Sequence, residues 1–260
     1  MNRIQQKIKY TEIIHDAYED DIKKHYIDVG FLIIATGNYT IFLDNLIDSI
    51  ERFVLPNSRK YYNIFSDKDV VLSISNYKVH KIEHKPFPYP TLNRFDFFCR
   101  YANKIVGDQL VYIDADTLVT NYIGTEILTP RTVTQHCGFT KVRGTFESRP
   151  QSYCYVEKSY IGPYFGGGFY SFERREFFNL SVACLNMIRL DAGNNIVPIW
   201  HDESALNKYM IIVPPTRILS PSYHYPENHE SIYRLWGGED TYTRKIMLLN
   251  KNHAGIRECE

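Results

Sequence analysis

The chain has no surplus charge of either sign: over 260 residues, thirty lysines and arginines balance thirty aspartates and glutamates. A general nucleic-acid binder carries a basic excess, so that class is disfavoured. No CxxC occurs, and the cysteines at 99, 137, 154, 184 and 259 form an odd set. This argues against a disulfide framework or zinc knuckle and for a reducing compartment. No apolar run reaches the roughly eighteen residues that a transmembrane helix requires. The polar N-terminus has no apolar signal core or cleavage site. The expectation is a soluble, cytoplasmic protein with no transmembrane segment and no nucleic-acid partner. No internal repeat, low-complexity tract or linker interrupts it. What the chain does have is apolar content, at 44%, enough for a sizeable core. It also has 21 tyrosines, whose flat faces and hydroxyls suit sugar or base recognition but also fill ordinary strands.

Residues 1–26 mix Ile and Tyr with charges at roughly helical spacing, so 1–28 reads as an N-terminal helix or arm. The run Val29–Thr36 is continuously apolar and predicts a parallel strand buried on both faces. Residues 39–54 place Phe42, Leu46, Ile50 and Phe53 at helical spacing, ahead of Pro56. Residues 60–67 and 75–84 read as strands, 91–106 as a helix and Gln109–Asp116 as another buried strand. This alternation predicts a mostly parallel α/β sheet binding its ligand at the strands' carboxyl ends. Segment 29–130 forms one half of the expected domain and 131–245 the other, the latter with a helix from Glu173 to Ala192. Residues 246–260 form a basic-centred tail.

Five strings are candidates for chemistry. Asp114-Ala115-Asp116 follows the apolar Leu110–Ile113; two such carboxylates can share a hard divalent ion and leave sites for phosphate oxygens. Fifteen aspartates generate about one such spacing by chance, and Asp67-Lys68-Asp69 is a second. A turn or helix cap remains the alternative for Asp114 and Asp116. Trp200-His201-Asp202-Glu203-Ser204 is either an acidic helix start, capped by Asp202 or Ser204, or a titratable cluster at a site. Gly166–Gly168, between two phenylalanines, makes a turn or lets backbone approach a ligand. Lys251, His253 and Arg257 form a frayed basic tail or a phosphate-neutralising arm. His80 and His84 would need a helix to share a metal, and Val79 and Ile82 among charges predict an exposed strand instead.

Taken together, these strings resemble glycosyltransferase family 6, the family of the histo-blood group A and B transferases and the α-1,3-galactosyltransferases. The resemblance runs from about Val29 to Arg257. It is carried by Trp200–Ser204 with Leu206–Tyr209, and by Tyr112–Asp116, Glu126–Pro130, His136-x-Gly138-Phe139, Arg149–Ser152, Phe165–Gly167, Leu219–Pro221 and Lys251–His253 with Arg257. It implies one GT-A domain, Rossmann-like, and a retaining α-1,3 transfer of galactose or N-acetylgalactosamine. The donor is UDP-Gal or UDP-GalNAc. The acceptor is a glycan ending in β-galactose, with or without fucose. By the same resemblance Asp114 and Asp116 hold Mn²⁺, with Mg²⁺ as the alternative, and with Ala115 they lie against the donor. Ile34, Ala35, Thr36 and Tyr39 match the uridine pocket and Arg94 the donor-side arginine. Asp202 matches the residue that holds donor-sugar hydroxyls. Glu203 matches the catalytic carboxylate, which also faces the acceptor. His136 and Trp200 match the acceptor side, and Lys251 and Arg257 the pyrophosphate clamp.

Ile161-Gly162-Pro163 occupies the donor-discriminating tripeptide, where Pro163 matches neither the galactose nor the N-acetylgalactosamine pattern. The acceptor-binding aspartate of the blood-group enzymes falls near Pro226-Glu227. With no transmembrane stem, the resemblance points to a bacterial or viral member acting in the cytosol. An inverting GT-A transferase, or a silent glycan-binding protein, are the alternatives.

Overall fold

A computed structural model describes residues 27–227, 243–251 and 256, and the backbone alone at 13–14. The run after Asp28 forms strand β2 (Asp28–Ile34), whose Val29, Phe31 and Ile33 enter one core while Leu32 enters another. The same division recurs in β5 (Gln109–Ile113), with Leu110 and Tyr112 on one face and Val111 and Ile113 on the other. Two cores explain the unbroken hydrophobicity of these strands, since period-two side chains meet apolar neighbours on both faces.

Helix α1 (Leu43–Phe53) covers one face with Leu43, Leu46, Ile47 and Ile50, after a tight 3₁₀ turn at Gly37–Phe42. The other face is covered by α3 (Arg94–Arg100), which follows the one-turn α2 (Tyr89–Leu92), and by α4 (Arg174–Gly193) and α5 (His201–Ile212).

The remaining strands of the main sheet are β1 (Ile13–Ile14), β3 (Arg59–Ser66), β4 (Tyr77–Lys81), β7 (Arg131–Gln135), β8 (Phe165–Glu173) and β9 (Arg217–Leu219). Eight strands run in the order β1-β9-β7-β8-β5-β2-β3-β4. Every neighbouring pair is parallel except those made by β8, which is antiparallel to both β5 and β7. The sheet therefore runs through both expected halves of the chain. A smaller sheet joins β6 (Thr117–Val119), β10 (Tyr225–Pro226) and β11 (Ile246–Leu248), so the start of the expected tail is a sheet strand.

Three expectations change. At the N-terminus, Ile13 and Ile14 pair with β9 as a strand, and the rest of the expected helix lies outside the described residues. The helix expected at 91–106 is broken at Asn93 and ends at Arg100, with Tyr101 closing the last turn. The strand expected over 75–84 is shorter and not exposed at His80, whose ring is 1% exposed and stacks on Phe65 at 4.9 Å. Burial pushes that imidazole down to about 4, with Lys78 and Lys104 adding to the effect, so His80 is a neutral core residue.

Candidate active site

Strands β2, β3 and β5 are mutually parallel and end at one edge of the sheet. There β5 gives way to Asp114, whose N–H bonds to the Gly168 carbonyl of β8. Arg94, at the start of α3, is only 5% exposed and knits four elements together. Its Nη1 lies 2.6 Å from Asp202 Oδ2 and donates to the Gly167 carbonyl at 2.7 Å; Nη2 reaches Asp114 Oδ1 at 3.2 Å. Its guanidinium carbon stands 3.9 Å above the Tyr112 ring, and the Tyr112 hydroxyl donates to the same Asp114 oxygen at 2.6 Å. Burial opposes the Arg94 charge, but Asp202 and Asp114 outweigh it and hold the guanidinium protonated. Removing either partner of such a network strands a charge in a dry site.

Trp200–Ser204 forms the beginning of α5, but neither Asp202 nor Ser204 caps it in the expected way. Trp200 is the cap residue, and the Ser204 hydroxyl reaches back to accept its N–H at 3.0 Å. Asp202 is instead turned into the Arg94 network. Burial pushes its carboxyl up to about 7 against the opposing pull of Arg94. With a protonated guanidinium 2.6 Å away, we treat it as ionised. Glu203 is held at both oxygens: Tyr164 Oη donates to Oε1 and the Gly167 N–H to Oε2, each at 2.7 Å. Burial still wins and pushes Glu203 up to about 7, with both hydrogen bonds and Arg94 opposing it.

The glycine run is the interior of β8, not a loop, and close approach is its reason. A Cβ on Gly167 would lie 3.4 Å from Glu203. One on Gly168 would lie 2.8 Å from Asp114 Oδ2 and 2.5 Å from His224 Nε2. Larger residues there would push apart the groups that the strand aligns.

A cavity of about 230 Å³ opens in front of this network. Ile34, Thr36, Tyr39, Arg94 and the whole Asp114–Asp116 tripeptide line it; Ala35 lies fully buried behind that wall. Lys251 closes one side, ion-paired with Asp116, its ammonium 4.8 Å over the Tyr39 ring. Arg257 lies outside the described residues. Asp202 and Glu203 do not line the cavity and stand next to Arg94, which does, and Gly162, Pro163, His136 and Trp200 do not line it either. Gly162 and Pro163 precede Tyr164 directly, and the His136 ring lies 5.8 Å from the ring of Tyr164, the hydrogen-bond partner of Glu203. Trp200 is half exposed, with its indole N–H on Thr145 Oγ1 at 2.6 Å.

The two DxD strings separate cleanly. Asp69 is almost fully exposed and paired with Lys81, whereas Asp67 Oδ1 accepts the Gly37 N–H at 2.8 Å beside the cavity. Among the described residues no cluster of three or more metal-ligating side chains occurs. The carboxylates of Asp114 and Asp116 nevertheless fit a hard divalent ion that completes its shell with water and phosphate oxygens, since both face one cavity. Residues that sequence reasoning left without a role are Tyr112, Tyr164 and His224. Tyr112 and Tyr164 adjoin quoted motifs; no periodicity marks His224. No helix among the described residues is long and apolar enough to cross a membrane.

Comparison with known proteins agrees with this arrangement. The rat (Rattus norvegicus) histo-blood group ABO system transferase 1 is 27% identical over 263 residues, covering 93% of this chain and 72% of the relative. Human (Homo sapiens) globoside alpha-1,3-N-acetylgalactosaminyltransferase 1 is 25% identical over 210 residues, covering 76% of this chain and 60% of the relative. The O-antigen biosynthesis glycosyltransferase WbnI of Escherichia coli is 27% identical over 209 residues, covering 77% and 89%. The family model for glycosyltransferase family 6 matches residues 9–258. With nearly its whole length matched and its sheet and helices arranged as a GT-A-like α/β domain, the chain belongs to glycosyltransferase family 6.

Proposed function

We propose that the chain is a metal-dependent, retaining α-1,3-glycosyltransferase that moves galactose or N-acetylgalactosamine from a UDP-sugar to a terminal β-galactoside. The observation that carries this reading is the fixed Glu203 carboxylate, two hydrogen bonds from strand β8 and Tyr164, beside a cavity bearing Asp114, Asp116 and Lys251. The nucleoside lies against Ile34, Ala35, Thr36 and Tyr39. Asp114 and Asp116 would hold Mn²⁺, or Mg²⁺ in its place, and the ion supplies neutralisation of the leaving diphosphate.

Lys251, with Arg257, adds cationic hydrogen bonds to the same phosphate oxygens and exchanges its partner Asp116 for them. Arg94 holds Asp202 and Asp114 in place, and Asp202 accepts hydroxyls of the donor sugar. Glu203 presents an anion to the reacting carbon, as nucleophile or as electrostatic support for a cationic centre. Its fixed position removes the cost of reorganisation at the moment of bond breaking. His136 and Trp200 position the acceptor on the far side of Glu203, and Gly162-Pro163 borders the donor sugar.

The test is a donor panel. UDP release is measured from UDP-Gal, UDP-GalNAc and UDP-Glc with lactose, in Mn²⁺ and in EDTA. Release from one or both of the first two, abolished by EDTA and restored by Mn²⁺, is expected. Release only from UDP-Glc would contradict the donor class, and full activity in EDTA the metal.

A further inference from the structure

The second DxD string, Asp67-Lys68-Asp69, has no part in the reaction just described, yet two of its residues hold a wall of the cavity. Strands β2 and β3 are parallel neighbours with Ile34 opposite Phe65, and the Ala35 N–H extends the pairing to the Phe65 carbonyl at 2.9 Å. The two chains therefore leave the sheet side by side. As they leave, Asp67 Oδ1 accepts the Gly37 N–H at 2.8 Å and Lys68 Nζ donates to Asn38 Oδ1 at 3.3 Å. The exit from β3 is itself fixed, because the buried Ser66 hydroxyl accepts the Lys68 N–H at 3.1 Å. Asp69 takes no part and pairs with Lys81 at the surface.

Gly37 is buried, with φ at +56°, and a Cβ on it would stand 3.2 Å from His84 Cε1. Side chains rarely adopt that backbone, so the position suits glycine. Gly37 also opens the 3₁₀ turn, where N–H groups have no partner within the turn itself. The Asp67 carboxylate supplies one, as a charge-assisted hydrogen bond. The same turn carries Tyr39, whose N–H closes onto the Thr36 carbonyl at 3.0 Å and whose ring lies under the Lys251 ammonium. Thr36, Gly37 and Tyr39 all line the cavity. His84 lines it too, packed on Gly37 with Nδ1 3.6 Å from Asp67 Oδ2. Asp67 itself stands outside the lining and acts on the cavity through the turn.

We propose that Asp67 is a positioning residue for the nucleoside of the donor: by holding the Gly37 N–H it fixes the turn that presents Thr36 and Tyr39 to the ligand. The inference rests on the transferase reading above, in which the donor is a UDP-sugar. A turn held in the binding geometry only part of the time would weaken apparent affinity in proportion. The two parts of the donor then depend on different residues. The nucleoside depends on the turn, and the metal-bound diphosphate on Asp114, Asp116 and Lys251.

The experiment compares wild type with Asp67→Ala and Asp67→Asn. Calorimetry gives the Kd of UDP and of inorganic pyrophosphate, both in Mn²⁺, and kinetics give the donor KM and kcat with the accepted UDP-sugar and lactose. Asp67→Ala removes the partner of the Gly37 N–H, so the UDP Kd and donor KM are expected to rise about tenfold, the scale of one such bond. The pyrophosphate Kd and kcat stay within about twofold, because the phosphate-binding side chains are untouched. Asp67→Asn keeps an oxygen that accepts the same N–H, and its UDP Kd is expected within about threefold of wild type. A merely structural aspartate would lower Tm and leave both affinities unmoved, or weaken UDP and pyrophosphate alike. Either outcome overturns the proposal, as does an Asp67→Asn protein no better than Asp67→Ala. Hydrogen exchange at the Gly37 amide of the wild-type protein gives a readout that does not depend on a variant folding. Slow exchange without ligand is expected, and exchange at the rate of an exposed amide overturns the proposal. Wild-type UDP binding that Asp67→Ala leaves intact sinks this inference alone. If wild type binds no UDP, the transferase reading fails and this inference with it.

Discussion

Glu203→Gln should make the protein more stable and nearly inactive at once. Glu203 ionises near 4.5 in an unfolded chain and at about 7 in the folded one, because burial disfavours its charge. A carboxyl with a raised native pKa binds more protons folded than unfolded between those two values. Stability therefore falls as pH climbs from about 4.5 to 7 and then levels off. The displacement corresponds to at most about 3.4 kcal/mol, reduced because the side chain retains some access to water. The amide keeps the contacts in altered form: its carbonyl can accept the Gly167 N–H, and its NH₂ can donate to Tyr164 once that hydroxyl turns. Allowing for the imperfect exchange, Glu203→Gln should gain about 1–2 kcal/mol over wild type at pH 8 and close to nothing at pH 4.5. Asp202 titrates in the same direction, and because the Glu203 charge is one of the causes that raise it, Glu203→Gln also relieves Asp202 and adds to the gain at high pH. Turnover should drop by roughly 10²–10⁴ while UDP binding changes little. Urea denaturation of both proteins at intervals from pH 4.5 to 8, beside kcat, checks this. A stability difference that is constant with pH, or a variant within a few-fold of wild-type turnover, would refute the reasoning.

Other expected outcomes follow from single contacts. Asp116→Asn should lower Mn²⁺ affinity and turnover by roughly 10²-fold, whereas the exposed Asp69→Asn should stay within about 0.5 kcal/mol of wild-type stability and keep its activity; calorimetric Mn²⁺ titration and kinetics compare them. Arg94→Met strands Asp202 and Asp114 and should cost about 3–5 kcal/mol in urea denaturation, part of which Asp202→Asn restores. Gly144→Ala would put a Cβ 2.3 Å from the Tyr164 ring and should cost about 1–3 kcal/mol and lower kcat as Tyr164 leaves Glu203. Gly193→Ala meets nothing within 4 Å at the end of α4 and should stabilise by up to about 1 kcal/mol in thermal melts, with activity intact.

Which parts of this were legible in the sequence follows from range of interaction. Val29–Ile34 and Leu110–Ile113 announced buried strands because both faces of the sheet are covered, so local hydrophobicity alone identified them. Phe42, Leu46, Ile50 and Phe53 identified α1, though Gly37–Phe42 tightens into 3₁₀ geometry first. The antiparallel insertion of β8 between β5 and β7 was not legible, since pairing across dozens of residues leaves no local period. That insertion makes the glycine run, which read as a turn or a point of close backbone approach, the strand bearing Gly167, whose N–H holds Glu203. Asp202 and Ser204 looked like helix caps because residue type alone suggests one; Arg94, 108 positions earlier than Asp202, decided otherwise. His80 looked exposed because its neighbours are charged, but the strand's inward face carries it onto Phe65. His224 left no signal because its meaning lies in the two glycines against which it packs.

The central claim is that Glu203 supports transfer with retention at the sugar's reacting carbon. The most direct measurement is the NMR assignment of the linkage in product made from the accepted UDP-sugar and lactose in Mn²⁺, with configuration read from the anomeric proton and position from long-range correlation. The account predicts an α-1,3 linkage to the terminal galactose. A β linkage would contradict it, because inversion would make Glu203 a base toward the acceptor and not an anion beneath the donor.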